Sequence, residues 1–182
     1  MQVSSTGAVC AAIHAARRIH VSDVLALRHS LMGKARPGRD DGALIASLAA
    51  EGFPACAQWR GFVVETISAC LIDRSAPRGE LTEEAAAWLI ERCESGLDES
   101  LAFELAADAV RRAANCPSVL MRYLLGRLND LSARVQTGHA SDDEKAALEA
   151  ARVALLAAGL AGRLYVPRDP PAPAQDGAQA AA

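Results

Sequence analysis

A surplus of positive charge is missing from this chain: 19 Lys and Arg face 22 Asp and Glu over 182 residues, a formal net charge of -3. There is accordingly no overall cationic field to hold nucleic acid or anionic lipid regardless of sequence. Long apolar runs are missing too, and none nears the roughly 20 residues needed to span a bilayer. Met1 to Ala16 lacks the basic start and continuous apolar core of a secretory signal. The expectation is a soluble, cytoplasmic protein with no membrane role.

Paired cysteines are absent as well. Cys10, Cys56, Cys70, Cys93 and Cys116 form no C-x-x-C pair and no close cluster with histidine, so neither a zinc knuckle nor a redox motif is written here. An odd number of thiols set in Ala-rich stretches reads as reduced, buried small hydrophobes. The Gly33-Lys34 pair lacks the upstream Gly and following Ser or Thr of a phosphate loop. No G-x-G-x-x-G, G-x-S-x-G, S-x-x-K or H-E-x-x-H occurs, and His14, His20, His29 and His139 have no spacing that converges on a metal. No nucleophile is set beside a base and an orienting group, so the chain is expected not to be an enzyme.

What is present is alanine, 40 residues of it, with Leu and Arg in apolar patterns of helical period. The fold class expected is all-α, a compact bundle of six to seven short helices. Between Cys56 and Ile72, Trp59, Phe62, Val63, Ile67, Cys70 and Leu71 make one broad stripe. Between Pro117 and about Arg134, Leu120, Tyr123, Leu124, Leu128, Leu131 and Val135 make another, and Pro117 suits a first helical position. Both helices are expected to be central. Capping residues mark others: Ser22, Asp40 or Asp41, Thr82, Asp98, and Ser141 with Glu144 as a capping box. The order of residues 1–20 is left open, 21–165 form the helical domain, and 166–182, rich in Pro and Ala, are expected to be a disordered tail. Aromatics make up only 4% of the chain, so the core must depend on Trp59, Phe62, Trp88, Phe103 and Tyr123.

Two charged regions remain. Arg17, Arg18, Arg28, Lys34, Arg36 and Arg39 against Asp23, Asp40 and Asp41 give the first 42 positions a balance of +3. Three loop cations, Lys34, Arg36 and Arg39, would neutralise about three phosphates at most, so nucleic-acid binding is the weaker reading beside a solvated loop. The turn Glu94-Ser95-Gly96-Leu97-Asp98-Glu99, with Glu104 beyond it, gathers carboxylates where a hard divalent cation wants several oxygens. Without an EF-hand loop, helix capping explains these acids better.

Val21 to Arg28, then Trp59 with Phe62-Val63-Val64-Glu65, Pro77-Arg78-Gly79, Ala87-Trp88-Leu89-Ile90, Glu104-Leu105 and Pro117, in that order and spacing, resemble the bacterial tellurite-resistance TerB-like helical family over roughly Val21 to Leu128. The resemblance implies an all-helical domain tied to tellurite resistance and stress response, with no established enzymatic activity. It also implies a divalent metal held by acidic residues, which here would be Glu94, Asp98 and Glu104. The chain would be a degenerate member, because Ser95-Gly96 stands where relatives carry Asp-Gly and the counterpart near Gly33 lacks an acid. The functional expectation is a helical interaction or stress-response module with an unidentified protein partner, or else a divalent-cation-binding domain. Ala-rich helix faces also permit a homodimer.

Overall fold

The computed structural model describes residues 5–33, 37–72 and 79–160. Eight α-helices occur among them: α1 (Thr6–Ala16), α2 (Val21–Met32), α3 (Arg39–Ala50), α4 (Gln58–Ile72), α5 (Glu83–Glu94), α6 (Glu99–Arg112), α7 (Ser118–Gln136) and α8 (Asp142–Leu160). The bundle therefore holds more helices than the six or seven expected. The helix left open within residues 1–20 is formed as α1, whose first turn is capped by Ser5 accepting from Ala8 N–H and whose Thr6, Val9, Cys10 and Ile13 are buried. The expected tail, 166–182, and the domain end at 161–165 lie outside the described residues.

Where a neutral or acidic side chain stood at a predicted cap, the structure usually uses it. Thr82 accepts from Ala85 N–H at 3.1 Å, and Asp98 accepts from Ser100 and Leu101 N–H, both at 3.1 Å. Ser141 and Glu144 close their capping box, at 3.2 and 2.7 Å. Two starts move. In α2 the chain enters at His20, not Ser22, because Asp23 reaches back to His20 N–H at 2.7 Å. In α3 Gly38 is the cap position, and Asp41 accepts its N–H at 2.9 Å from inside the first turn. An acid in the third helical position serves the start as well as one at the cap.

The chain repeats its own order. The links before α2 and α4 are pinned by a parallel bridge between Ile19 and Ala55, and those before α5 and α7 by one between Glu80 and Asn115, 36 and 35 residues apart. Ile19 N–H donates to Pro54 and Cys56 N–H to Ile19, both at 3.0 Å, while Leu81 N–H donates to Asn115 at 3.1 Å. Two three-helix units result, α2–α4 and α5–α7, joined where α4 packs on α6. Outside them, α1 covers α2 and α3, and α8 covers α6 and α7. Between α5 and α6, Gly96 turns the chain at φ 112°, a conformation that suits glycine.

The stripe read in α4 is buried, with Phe62, Val63 and Ile67 at 1% exposure or less. Val64, Thr66, Ser68 and Ile72 are buried too, so α4 is enclosed on nearly every side. The other central helix is α6, and not α7 where the periodicity pointed. Nine residues of α6 are buried, Ala102, Ala106, Ala107 and Ala109 among them, against Leu120, Met121, Leu124 and Leu131 in α7. Small side chains let neighbouring helices approach α6 from several directions, while α7 presents its polar face to solvent. Of the expected anchors, Trp59, Phe62 and Phe103 are buried and Trp88 and Tyr123 pack on the core partly covered.

Candidate functional site

A cleft of about 570 Å³ opens between α4, α6 and α8. Val64 from α4 and Phe103 and Ala107 from α6 form its apolar base, and Ala146, Ala147, Ala150 and Ala151 of α8 form the opposite wall. Arg60, Ser100, Glu104, Asp108 and Arg111 supply its polar groups. The helical period explains this arrangement: Ser100, Glu104, Ala107, Asp108 and Arg111 follow one another by three and four residues along one face of α6. Its size falls in the range of about 300–1,000 Å³ typical of ligand pockets.

The charges in the cleft neutralise one another. Arg60 Nε donates to Glu104 Oε2 at 2.5 Å, and Arg60 Nη1 donates to Ser100 Oγ at 3.0 Å. Nη1 also stands 3.7 Å from Asp98 Oδ1. Asp98 Oδ1 accepts a hydrogen bond from the Ser100 hydroxyl at 2.5 Å, and chiefly through that bond its carboxyl is held below the usual carboxylate range. Deeper in, Asp108 is buried and ion-paired with Arg111, and with Arg112 Nε at 2.6 Å. Two arginines and two carboxylates thus line a cleft without net charge. A surface without net charge offers shape and placed hydrogen bonds rather than a field.

The three carboxylates read as metal ligands have different fates. Asp98 and Glu104 are brought together, but around the guanidinium of Arg60, which supplies a positive charge next to both. Glu94 is exposed at the last position of α5. Among the described residues no group of three or more His, Cys, Asp or Glu side chains is placed to hold a metal ion. Of the basic loop, Arg39 pairs with Glu84 at 2.6 Å in α5, while Lys34 and Arg36 lie outside the described residues. Arg28 pairs with Glu65 at 2.8 Å, and Arg17 lies 5.8 Å from the centre of the Phe53 ring.

None of the five cysteines is in a disulfide, and only Cys56 is more than marginally accessible. Burial pushes the Cys93 thiol up to about 12 and Cys116 up to about 11, so neither carries the thiolate that nucleophilic chemistry requires. Cys93 donates to the carbonyl of Ala102 at 3.5 Å and serves as packing between α5 and α6.

Comparison with models of known families, with characterised proteins and with solved structures finds no match to this chain. No helix among the described residues is long and apolar enough to cross a membrane.

Proposed function

We propose that this chain is a non-enzymatic helical interaction module of the bacterial cytoplasm, and that its partner seats in the α4–α6–α8 cleft. One observation carries the reading: the cleft combines an apolar base with polar groups already held in place by one another, Arg60 by Glu104 and Ser100, and Asp108 by Arg111 and Arg112. That is the build of a binding surface, where fixed donors and acceptors orient an occupant that fills apolar space. The residue order resembling TerB-like proteins supports a setting in stress response such as tellurite resistance. That setting rests on residue order alone.

The test is to fill the cleft without touching its charges. Ala107→Trp or Ala150→Trp should leave helicity unchanged while abolishing capture of whatever the unaltered protein retains from a bacterial extract. Equal capture by both would place the partner elsewhere. Thermal unfolding with chelator, then with Ca²⁺, Mg²⁺ or Zn²⁺ in excess, separates the alternative of a divalent-cation domain, since a ligand that binds the native state raises the midpoint. With Arg60 beside Asp98 and Glu104, no rise is expected. A rise of several degrees with one ion would favour the metal reading.

A further inference from the structure

The outer face of α2 carries three of the large hydrophobic side chains that the bundle leaves exposed. Val21, Leu25 and Met32 lie 46%, 60% and 84% exposed, in line along the helix with Arg28 between them. Spacings of four, three and four residues put all four on one stripe about 16 Å long. Beside that ridge runs a groove of about 370 Å³ between α2 and α4, with Leu31, Phe62, Thr66 and Ala69 in its walls and the Arg28–Glu65 ion pair at its rim. None of its lining residues belongs to the cleft under α8.

We propose that this ridge and groove are the surface on which two copies of the chain pair. A two-fold interface must be self-complementary, because the same patch faces itself. This patch meets that condition in charge: it holds one arginine and one glutamate, so two copies facing each other neither repel nor leave an uncompensated charge.

With the axis near the middle of α2, the two α2 helices run antiparallel. Each Val21 then lies beside the other copy's Met32, at the mouth of the groove, and each Leu25 lies along the alkyl stem of the other copy's Arg28. Arg28 can exchange its own Glu65 for the other copy's. A stable dimer buries about 800 Å² per partner. Three exposed side chains fall short of that, so the α4 side of the groove and the Arg28–Glu65 rim must join the contact. This separates the proposal from a general stickiness of α2, because it makes Glu65 on α4 part of the interface.

The experiment is sedimentation velocity of the full chain over about 1 to 200 μM, a span that reports micromolar self-association. A monomer–dimer equilibrium is expected. Leu25→Glu and Met32→Glu, each on an exposed position and each retaining helicity and melting temperature, should weaken the dimer by about tenfold or more. Arg28→Glu alone and Glu65→Arg alone should each weaken it, and an equimolar mixture of those two variants should recover it, because only the mixed pair restores both cross-copy ion pairs. A monomer at every concentration would overturn the proposal. So would a dimer indifferent to Leu25→Glu and Met32→Glu, or a charge-exchanged mixture that stays monomeric.

Discussion

The two ends of the molecule cover similar three-helix units with helices of different make. At one end α1 lays Thr6, Val9, Cys10 and Ile13 on α2 and α3, all at 9% exposure or less, and Thr6 meets Ser30 hydroxyl to hydroxyl at 3.2 Å. At the other, α8 faces α6 with Ala146, Ala147, Ala150 and Ala151, and of its bulky aliphatics Leu148 and Leu155 are buried. Alanine has the highest helix propensity and the smallest side chain to bury. A helix so composed keeps its form and packs closely on α6, leaving space toward α4. Where the cover is bulky the unit is closed, and where it is alanine a cleft remains with Arg60, Glu104, Asp108 and Arg111 along its edge.

The largest effect that would sharpen this contrast is Ile13→Ala. Ile13 is 1% exposed, so its truncation removes a well-packed anchor and should cost about 2–5 kcal/mol, read from urea unfolding. A loss below about 1 kcal/mol would show that α1 covers its unit no more firmly than α8 does, and the contrast would fail.

Acid should separate the ends next. α1 is capped by Ser5, which does not titrate, whereas α8 begins with Glu144 accepting Ser141 N–H and pairing with Arg134 at 2.9 Å. The Ser141 backbone bond, foremost, holds the Glu144 carboxyl below its ordinary value, and the Lys145 hydrogen bond does the same for Asp142. Carboxyls lowered by folding bind fewer protons in the native than in the unfolded state. Their contribution is present above the unfolded value, near pH 4, and is lost as pH falls through the folded one. Asp98 at the start of α6 shifts in the same sense. Hydrogen exchange at pH 3 should therefore show α8 amides losing protection before those of α1; the reverse order would remove acid lability as a difference between the ends.

Arg60→Ala tests the edge of the cleft. It leaves Glu104 without its 2.5 Å partner and Ser100 without a donor, on a side chain 43% exposed. The stability loss should stay within about 1 kcal/mol, as for solvent-screened pairs. A loss of several kcal/mol would make Arg60 a structural tie between α4 and α6 and weaken the reading of the cleft as a binding surface.

How much of this was legible follows from the range of each interaction along the chain. Caps act over two or three residues, so Thr82, Asp98 and Ser141 could be read directly, and the buried stripe of α4 followed from its period. Asp23 and Asp41 showed the same local chemistry, but from inside the helix, which displaced two starts. The centrality of α6 was hidden because four of its nine buried residues are alanines, which suit a surface helix as well. The cleft was beyond reach for a different reason. Arg60 and Glu104 are 44 residues apart, and only the packing of α4 on α6 brings them together. Asp98 and Glu104 were singled out as acids, while the cation that gathers them has no spacing signal toward either. The repeated order of α2–α4 and α5–α7 was likewise carried by backbone bridges, which any side chain can make.

The smallest effect is the most direct test of the contrast. Ala150→Leu adds three carbons to α8 on the wall of the cleft, where about 570 Å³ stands open. In a filled core the same enlargement forces neighbours off their rotamers and typically costs 1–3 kcal/mol. Here the added methyl groups can meet Phe103, Val64 and Ala107 across the gap and gain burial instead, so stability should stay within about 0.5 kcal/mol of the parent or rise slightly. The matching enlargement at the other end, Ala46→Leu on α3, meets a residue only 3% exposed in the packed unit and should cost the full penalty. Both variants exchange alanine for leucine within a helix, and urea unfolding then compares the exposed wall of the cleft with a packed position. Equal costs would mean that α8 closes toward α4 in solution and that the cleft is not a standing feature of the fold.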